Sequence, residues 1–139
     1  MALGKLMTRK VVTATPTDSL VKAAKLMDEH NVGAIVVVEQ DRPVGIVTDR
    51  DLTRSVCILR TSPDAHLQNA MTCPIATINQ DEGVFNATQR MMELAVRRLP
   101  VVDDLGRLVG LVSLDDLLLL LGRELHNMAE GIRSEVEAV

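Results

Sequence analysis

Aromatic residues are almost missing from this chain: Phe85 is the only one among 139 residues, with no Trp and no Tyr. Such a protein has no platform on which unpaired nucleic-acid bases could stack, and its core must be built from Val, Leu, Ile, Met and Ala. Cysteine is scarce as well. Cys57 and Cys73 are too few for a disulfide framework and suit a reducing compartment. Long apolar runs are lacking: the most apolar, Leu117–Leu121, is five residues, where a membrane span needs roughly 20. The opening MALGKLMTRK has no signal-peptide stretch. The formal charge is -4 and the Lys and Arg residues are scattered, so no footprint for a phosphate backbone is visible. These absences argue against nucleic acid and membrane as partners and lead to the expectation of a cytoplasmic protein.

What is present is an internal repeat. A shift of 64 residues pairs Met7 with Met71, Thr8 with Thr72, Thr13 with Thr77, Ala23 with Ala87, Met27 with Met91 and Val32 with Val96. Beyond the polar segments EQDRPV and DDLGRLV the shift becomes 65, and GIVTDRDL (45–52) matches GLVSLDDL (110–117). An extra residue in a turn costs little. The length fits one compact domain or two small fused ones, and a unit of about 60 residues is marginal alone.

Each copy reads strand, helix, strand, strand, helix, an α/β (α+β) pattern. Val11–Ala14 and Ile75–Ile78 are expected to be extended, with helices capped at Thr17 and Asp81. Leu20, Ala23, Ala24 and Met27 are expected on one helical face, as are Val84, Ala87 and Met91; Met27, Met91 and Met92 read as at least partly core or interface filler. Last helices begin near Thr48 and Ser113. The expected division is a first unit at 1–60, a linker at 61–70, a second unit at 71–121 and a helical extension at 122–139. In that extension Leu118, Leu121, Leu125, Met128, Ile132 and Val136 recur at spacings of three and four. This stripe either packs on its own domain or joins a second copy.

The chemistry-bearing residues are the matched pairs Thr48/Asp51 and Ser113/Asp116. Each hydroxyl ends a strand and opens a helix, where free N–H groups and the helix dipole can receive a phosphate. The carboxylate three residues on suits a ribose diol. Gly45 and Gly110 just before would permit close backbone approach. The same Ser/Thr-x-x-Asp pattern is also a helix cap, and the residues alone leave both readings open. The three histidines, His30, His66 and His126, have no metal-ligand spacing, no nucleophile elbow occurs, and no enzymatic activity is expected. The two thiols read as buried or inert.

The openings at Met7–Thr13 and Met71–Thr77, VRRLPVVD at 96–103 and the segments 45–51 and 110–116 together resemble a tandem pair of CBS domains, a Bateman module, over about residues 5–121. The resemblance implies two units packed through their sheets about a pseudo-twofold axis, with two clefts that take AMP first, or ADP, ATP, NAD or S-adenosylmethionine. It implies that Thr48 and Asp51 serve one cleft and Ser113 and Asp116 the other. Adenine would lie near Val11 and Ile35 in one copy, and near Ile75 and Leu99–Pro100 in the other. Arg50 in TDRD, and Arg97 and Arg98 before the second copy's strand, are cations for a charged tail. Val36 stands where the second copy has Pro100. The expected function is a non-enzymatic module, a homodimer, that needs no cofactor and relays nucleotide occupancy to a separate effector protein. The alternative is an interaction module with empty clefts, its Thr/Ser-x-x-Asp segments acting only as caps.

Overall fold

In the computed structural model, which describes residues 2–138, the two copies form two three-stranded sheets of the same topology. The outer ends of the expected first unit and of the helical extension, Met1 and Val139, lie outside the described residues. The first sheet holds β1 (Thr13–Ala14), β2 (Ala34–Glu39) and β3 (Arg42–Thr48), with helices α1 (Leu20–His30) and α2 (Asp49–Thr53). The second holds β4 (Ile78–Asn79), β5 (Arg98–Val102) and β6 (Leu108–Ser113), with α3 (Val84–Leu94) and α4 (Leu114–Glu137). In each, the short first strand is parallel to the second and the second is antiparallel to the third. The copies differ at the hairpin. Gln40 and Asp41 turn the first with φ of 50° and 65°, whereas the second is longer and uses Gly106 at φ 80°. There Asp103 accepts the Leu105 and Arg107 N–H groups, which hold its carboxyl below the usual range. The extra residue of the second copy therefore falls in a turn.

Several local expectations are corrected. The cap position of the first helix in each copy lies two residues after the expected caps Thr17 and Asp81. Ser19 caps α1, accepting the Lys22 N–H at 3.0 Å, and Gly83 opens α3 with no side-chain cap. The reason is a tight turn ahead of each helix: the Asp18 carboxylate accepts the Thr15 N–H at 2.8 Å, and Glu82 does the same for Asn79 at 3.1 Å. Strands β1 and β4 are only two residues long, because the chain before them leaves its own sheet. Leu20, Ala23 and Met27 are buried but Ala24 is exposed, on the far side of α1. Met91 is buried while Met92 is 74% exposed. Cys57 and Cys73 are exposed rather than buried.

The departing segments organise the core. Leu3 and Met7 are buried in the second unit's cluster with Ile78, Leu99, Val101 and Val112. Leu67 is buried in the first unit's cluster with Leu20, Ile35 and Val37. Leu3 and Leu67 are 64 residues apart, occupy matched positions, and are both completely buried. Each copy's lead-in therefore closes the other copy's core. Backbone pairing fixes the exchange: Thr8 trades two hydrogen bonds with Leu111 on β6 (2.9 and 3.0 Å), and Thr72 trades two with Ile46 on β3 (2.9 and 3.3 Å).

Candidate functional site

The strand register sets the polar groups. Arg98 on β5 lies directly across from Ser113 on β6, and Ala34 on β2 directly across from Thr48 on β3. Identical topology therefore puts a cation beside one hydroxyl and a methyl group beside the other. Arg97, one residue back, is tied to Asp115 at 2.8 Å, which leaves Arg98 as the guanidinium that lines the cleft at Ser113.

That cleft, about 200 Å³, is composite. From the second copy come Arg98, Leu111, Ser113 and Asp116. From the first come Val32, Gly33, Ala34 and the crossing strand Thr8, Lys10, Val11 and Val12. The exchange of lead-ins carries that strand there. Gly33 leaves a gap: a Cβ on it would stand 3.4 Å from Asp49 Oδ2 and 3.9 Å from Arg98 Nη2. Among the lining residues Lys10 and Arg98 outnumber Asp116, with the Asp49 carboxylate beside Gly33 at the edge. The cleft favours an anion.

The two Ser/Thr-x-x-Asp motifs differ in what their carboxylates already hold. Thr48 and Asp51 close on each other. The Asp51 N–H donates to Thr48 Oγ1 at 3.2 Å, and Asp51 Oδ2 accepts both the Thr48 N–H at 2.9 Å and the Thr48 hydroxyl at 3.0 Å. This is a complete capping box. Ser113 accepts the Asp116 N–H at 3.1 Å, with no return bond from the Asp116 carboxylate among the described residues.

The remaining expected site residues fall into three groups. Val11, Arg98, Ser113 and Asp116 come together in the composite cleft. Thr48, Asp51, the exposed Arg50 and the half-buried Ile75 lie outside its lining. Ile35 and Leu99 are completely buried in the two cores; side chains alternate across a strand, so Val36 and Pro100, equally buried, point to the opposite faces of β2 and β5. Gly45 and Gly110 were expected to admit a ligand; each instead receives a methionine from the other copy's lead-in, Met71 on Gly45 and Met7 on Gly110. Lys10 was missed. Its matched position is Pro74, so a search for repeated features passes it by; alternation of Thr8, Lys10 and Val12 along an extended segment is the signal that finds it.

A larger hollow of about 440 Å³ lies by the hairpins, lined by Arg9, Arg107, Asp41 and Asp103. Its cations are already engaged: Arg107 with Asp103 at 2.8 Å and Arg9 with the Gly4 carbonyl at 2.6 Å. The smaller cleft keeps more of its polar capacity for a ligand. No helix among the described residues is long and apolar enough to cross a membrane.

Comparison with known proteins agrees with this architecture. Residues 3–57 and 66–123 each match the CBS domain. An uncharacterized protein of Methanopyrus kandleri is 38% identical over 120 residues, 85% of this chain, and this chain spans 61% of that protein's length. The CBS domain pair of protein MJ0100, solved in complex with 5'-methylthioadenosine and S-adenosyl-L-methionine, superimposes with a TM-score of 0.80 at 26% identity, covering 89% of this chain and 98% of the other. A CBS domain protein of Pyrobaculum aerophilum complexed with AMP gives 0.77 at 28% identity, covering 84% and 90%. With two matched segments, two sheets of one topology and a composite cleft between them, this chain belongs to the CBS domain family as a tandem CBS pair.

Proposed function

We propose that the protein is a non-catalytic regulatory module that binds an adenine mononucleoside ligand, AMP first among them, in the cleft lined by Lys10, Arg98, Ser113 and Asp116. The carrying observation is the convergence of those four groups on apolar walls formed by Val11, Val12, Ala34 and Leu111. In this reading the Asp116 carboxylate accepts the ribose hydroxyls. The Ser113 hydroxyl, the first turn of α4, Lys10 and Arg98 receive phosphate. The volume, about 200 Å³, is below the roughly 300–1,000 Å³ of drug-sized pockets, and suits one nucleoside better than a dinucleotide. Two related CBS structures carry AMP or adenosyl compounds, which supports the ligand class. Because the walls come from both copies, a bound ligand prefers one relative placement of the two units. That difference in affinity is what a separate partner protein would sense.

Thr48 and Asp51 act as a helix cap in this reading, since the box already engages both side chains. Isothermal titration of nucleotide-stripped protein against AMP, ADP, ATP, NAD and S-adenosylmethionine tests both assignments. Micromolar binding of a mononucleoside is expected. Asp116→Ala should lower affinity by about 30-fold, the loss of one or two hydrogen bonds to a charged group, while Asp51→Ala leaves affinity within about twofold of the parent. No heat at millimolar ligand would sink the proposal in favour of an interaction module; sensitivity at Asp51 alone would move the site to the other motif.

A further inference from the structure

The first residue of α2 stands at the edge of the composite cleft, although its neighbours Thr48 and Asp51 lie outside the lining. The Asp49 N–H donates to the carbonyl of Gly33 at 3.0 Å, which ties the start of α2 to a cleft-lining residue. The two oxygens of the Asp49 carboxylate differ. Oδ1 accepts the Arg50 N–H at 2.8 Å, and Oδ2 accepts no hydrogen bond among the described residues. Oδ2 lies 3.4 Å from the point where a Cβ on Gly33 would stand, and Arg98 Nη2 lies 3.9 Å from the same point. These two charged atoms, one from each copy, are therefore at most about 7 Å apart, and glycine adds no side chain to shield them. The residue matched to Asp49 is Leu114, packed against the second unit's core, so the acid belongs to this cleft's edge without a counterpart in the repeat.

We infer that Asp49 sets how much negative charge the cleft accepts, favouring an adenine nucleotide with one phosphate over one with three; this rests on the reading of the cleft as a site for an adenine mononucleoside. Lys10 and Arg98 exceed Asp116 by one positive charge in the lining, and Asp49 balances that excess from the edge. Two nearby cations do not alter the balance. Arg97 is paired with Asp115 at 2.8 Å, and Arg50 is exposed and outside the lining. A separation of about 7 Å is shorter than the ~8 Å over which physiological salt screens charges, so the Asp49 carboxylate is felt at Arg98. A single phosphate at Ser113 meets Lys10 and Arg98. Each further phosphate adds negative charge with no further lining cation to receive it, and Asp49 repels it.

The test titrates adenosine, AMP and ATP into the full-length, nucleotide-stripped chain and into its Asp49→Asn variant, which keeps the size of the side chain and its oxygen acceptor. The parent should bind AMP about tenfold more tightly than ATP. In the variant AMP should gain about threefold and ATP about 30-fold, so that the preference disappears, while adenosine stays within about twofold. The gain should shrink in about 1 M salt, where charges are screened over ~3 Å. Glu135→Gln, the same change of charge about 30 Å along α4 from Asp116, should leave the AMP to ATP ratio as it is in the parent. A parent that binds AMP and ATP alike, or a preference that survives in Asp49→Asn, overturns the role of Asp49 and leaves the binding site standing. A parent that binds none of the three overturns the functional reading, and this inference with it.

Discussion

At the end of β3 the Asp51 carboxylate turns back onto the Thr48 N–H and hydroxyl; at the end of β6 the Asp116 carboxylate makes no such bond and borders a cleft. The motifs differ by Thr against Ser, by Asp49-Arg50 against Leu114-Asp115 inside the motif, and by the residue across the ladder, Ala34 against Arg98. A carboxylate that already accepts two hydrogen bonds on Oδ2 has only Oδ1 still wholly open to a ribose. One that accepts none can hold a ligand. Duplication supplies two copies of a helix start, and neighbouring residues decide which becomes a cap and which faces the cleft.

Three substitution pairs can break or sharpen that contrast. The largest effect is expected at the methionine sockets. A methyl group on Gly110 meets both the Met7 side chain and the Thr8 carbonyl oxygen at 3.0 Å, whereas the atoms nearest to one on Gly45, out to 3.2 Å, all belong to the Met71 side chain. A side chain can move aside and a paired backbone cannot. Gly110→Ala should therefore cost about 2–3 kcal/mol and Gly45→Ala about 1 kcal/mol less, read by urea unfolding; equal losses would mean the sockets are equivalent. Next come the caps. Thr48→Ala removes a hydroxyl that takes part in a reciprocal box and should cost about 1–1.5 kcal/mol, while Ser113→Ala, with one bond, should cost about 0.5–1 kcal/mol. The reverse order in thermal unfolding would contradict the assignment of cap and ligand roles. The smallest effect lies where the first helix of each copy ends. Asn31 and Ala95 both take left-handed backbone, φ 51° and 53°, a conformation Asn tolerates and Ala resists. Ala95→Gly should stabilise by about 0.5 kcal/mol, relief of strain less the entropy glycine adds to the unfolded chain. The same change at Asn31 should gain less, and an equal gain would show that Asn31 is not adapted to its turn.

Much of the architecture was legible because it is locally encoded. Duplicated Met-Thr openings, alternating strand residues and hydroxyls at strand ends report the repeat, the two sheets and the starts of α2 and α4. Helix starts at Ser19 and Gly83 were obscured by the preceding Thr15–Asp18 and Asn79–Glu82 turns, which use up Thr17 and Asp81 before a helix can begin. The exchange of lead-ins was not legible at all. Met7 can be written against Gly45 or Gly110 with equal ease, since the two sockets have nearly the same sequence, and only the path of the chain in space decides. The cleft inherits that difficulty: Lys10 and Val11 lie in the first copy and Ser113 and Asp116 in the second, so a reading confined to one copy assembles half of it. Ile35 and Leu99 face the two cores, while Ala34 and Arg98, one position back on each strand, line the cleft; a period of two makes one residue the difference between core and cleft wall.

The reciprocal placement of Leu3 and Leu67 bears on how such a chain comes to exist. A single copy leaves a leucine-shaped vacancy in its own core and carries a leucine that fits only its sibling's. Neither half is a self-sufficient building block; the smallest object that closes is a pair, each member wearing the other's lid. Joining the pair in one chain converts an association that depends on concentration into one that cannot dilute apart, and it frees each lid's sequence to drift independently. Lys10, opposite Pro74 in the repeat, is a difference of that kind: a cation carried by only one of the two crossings.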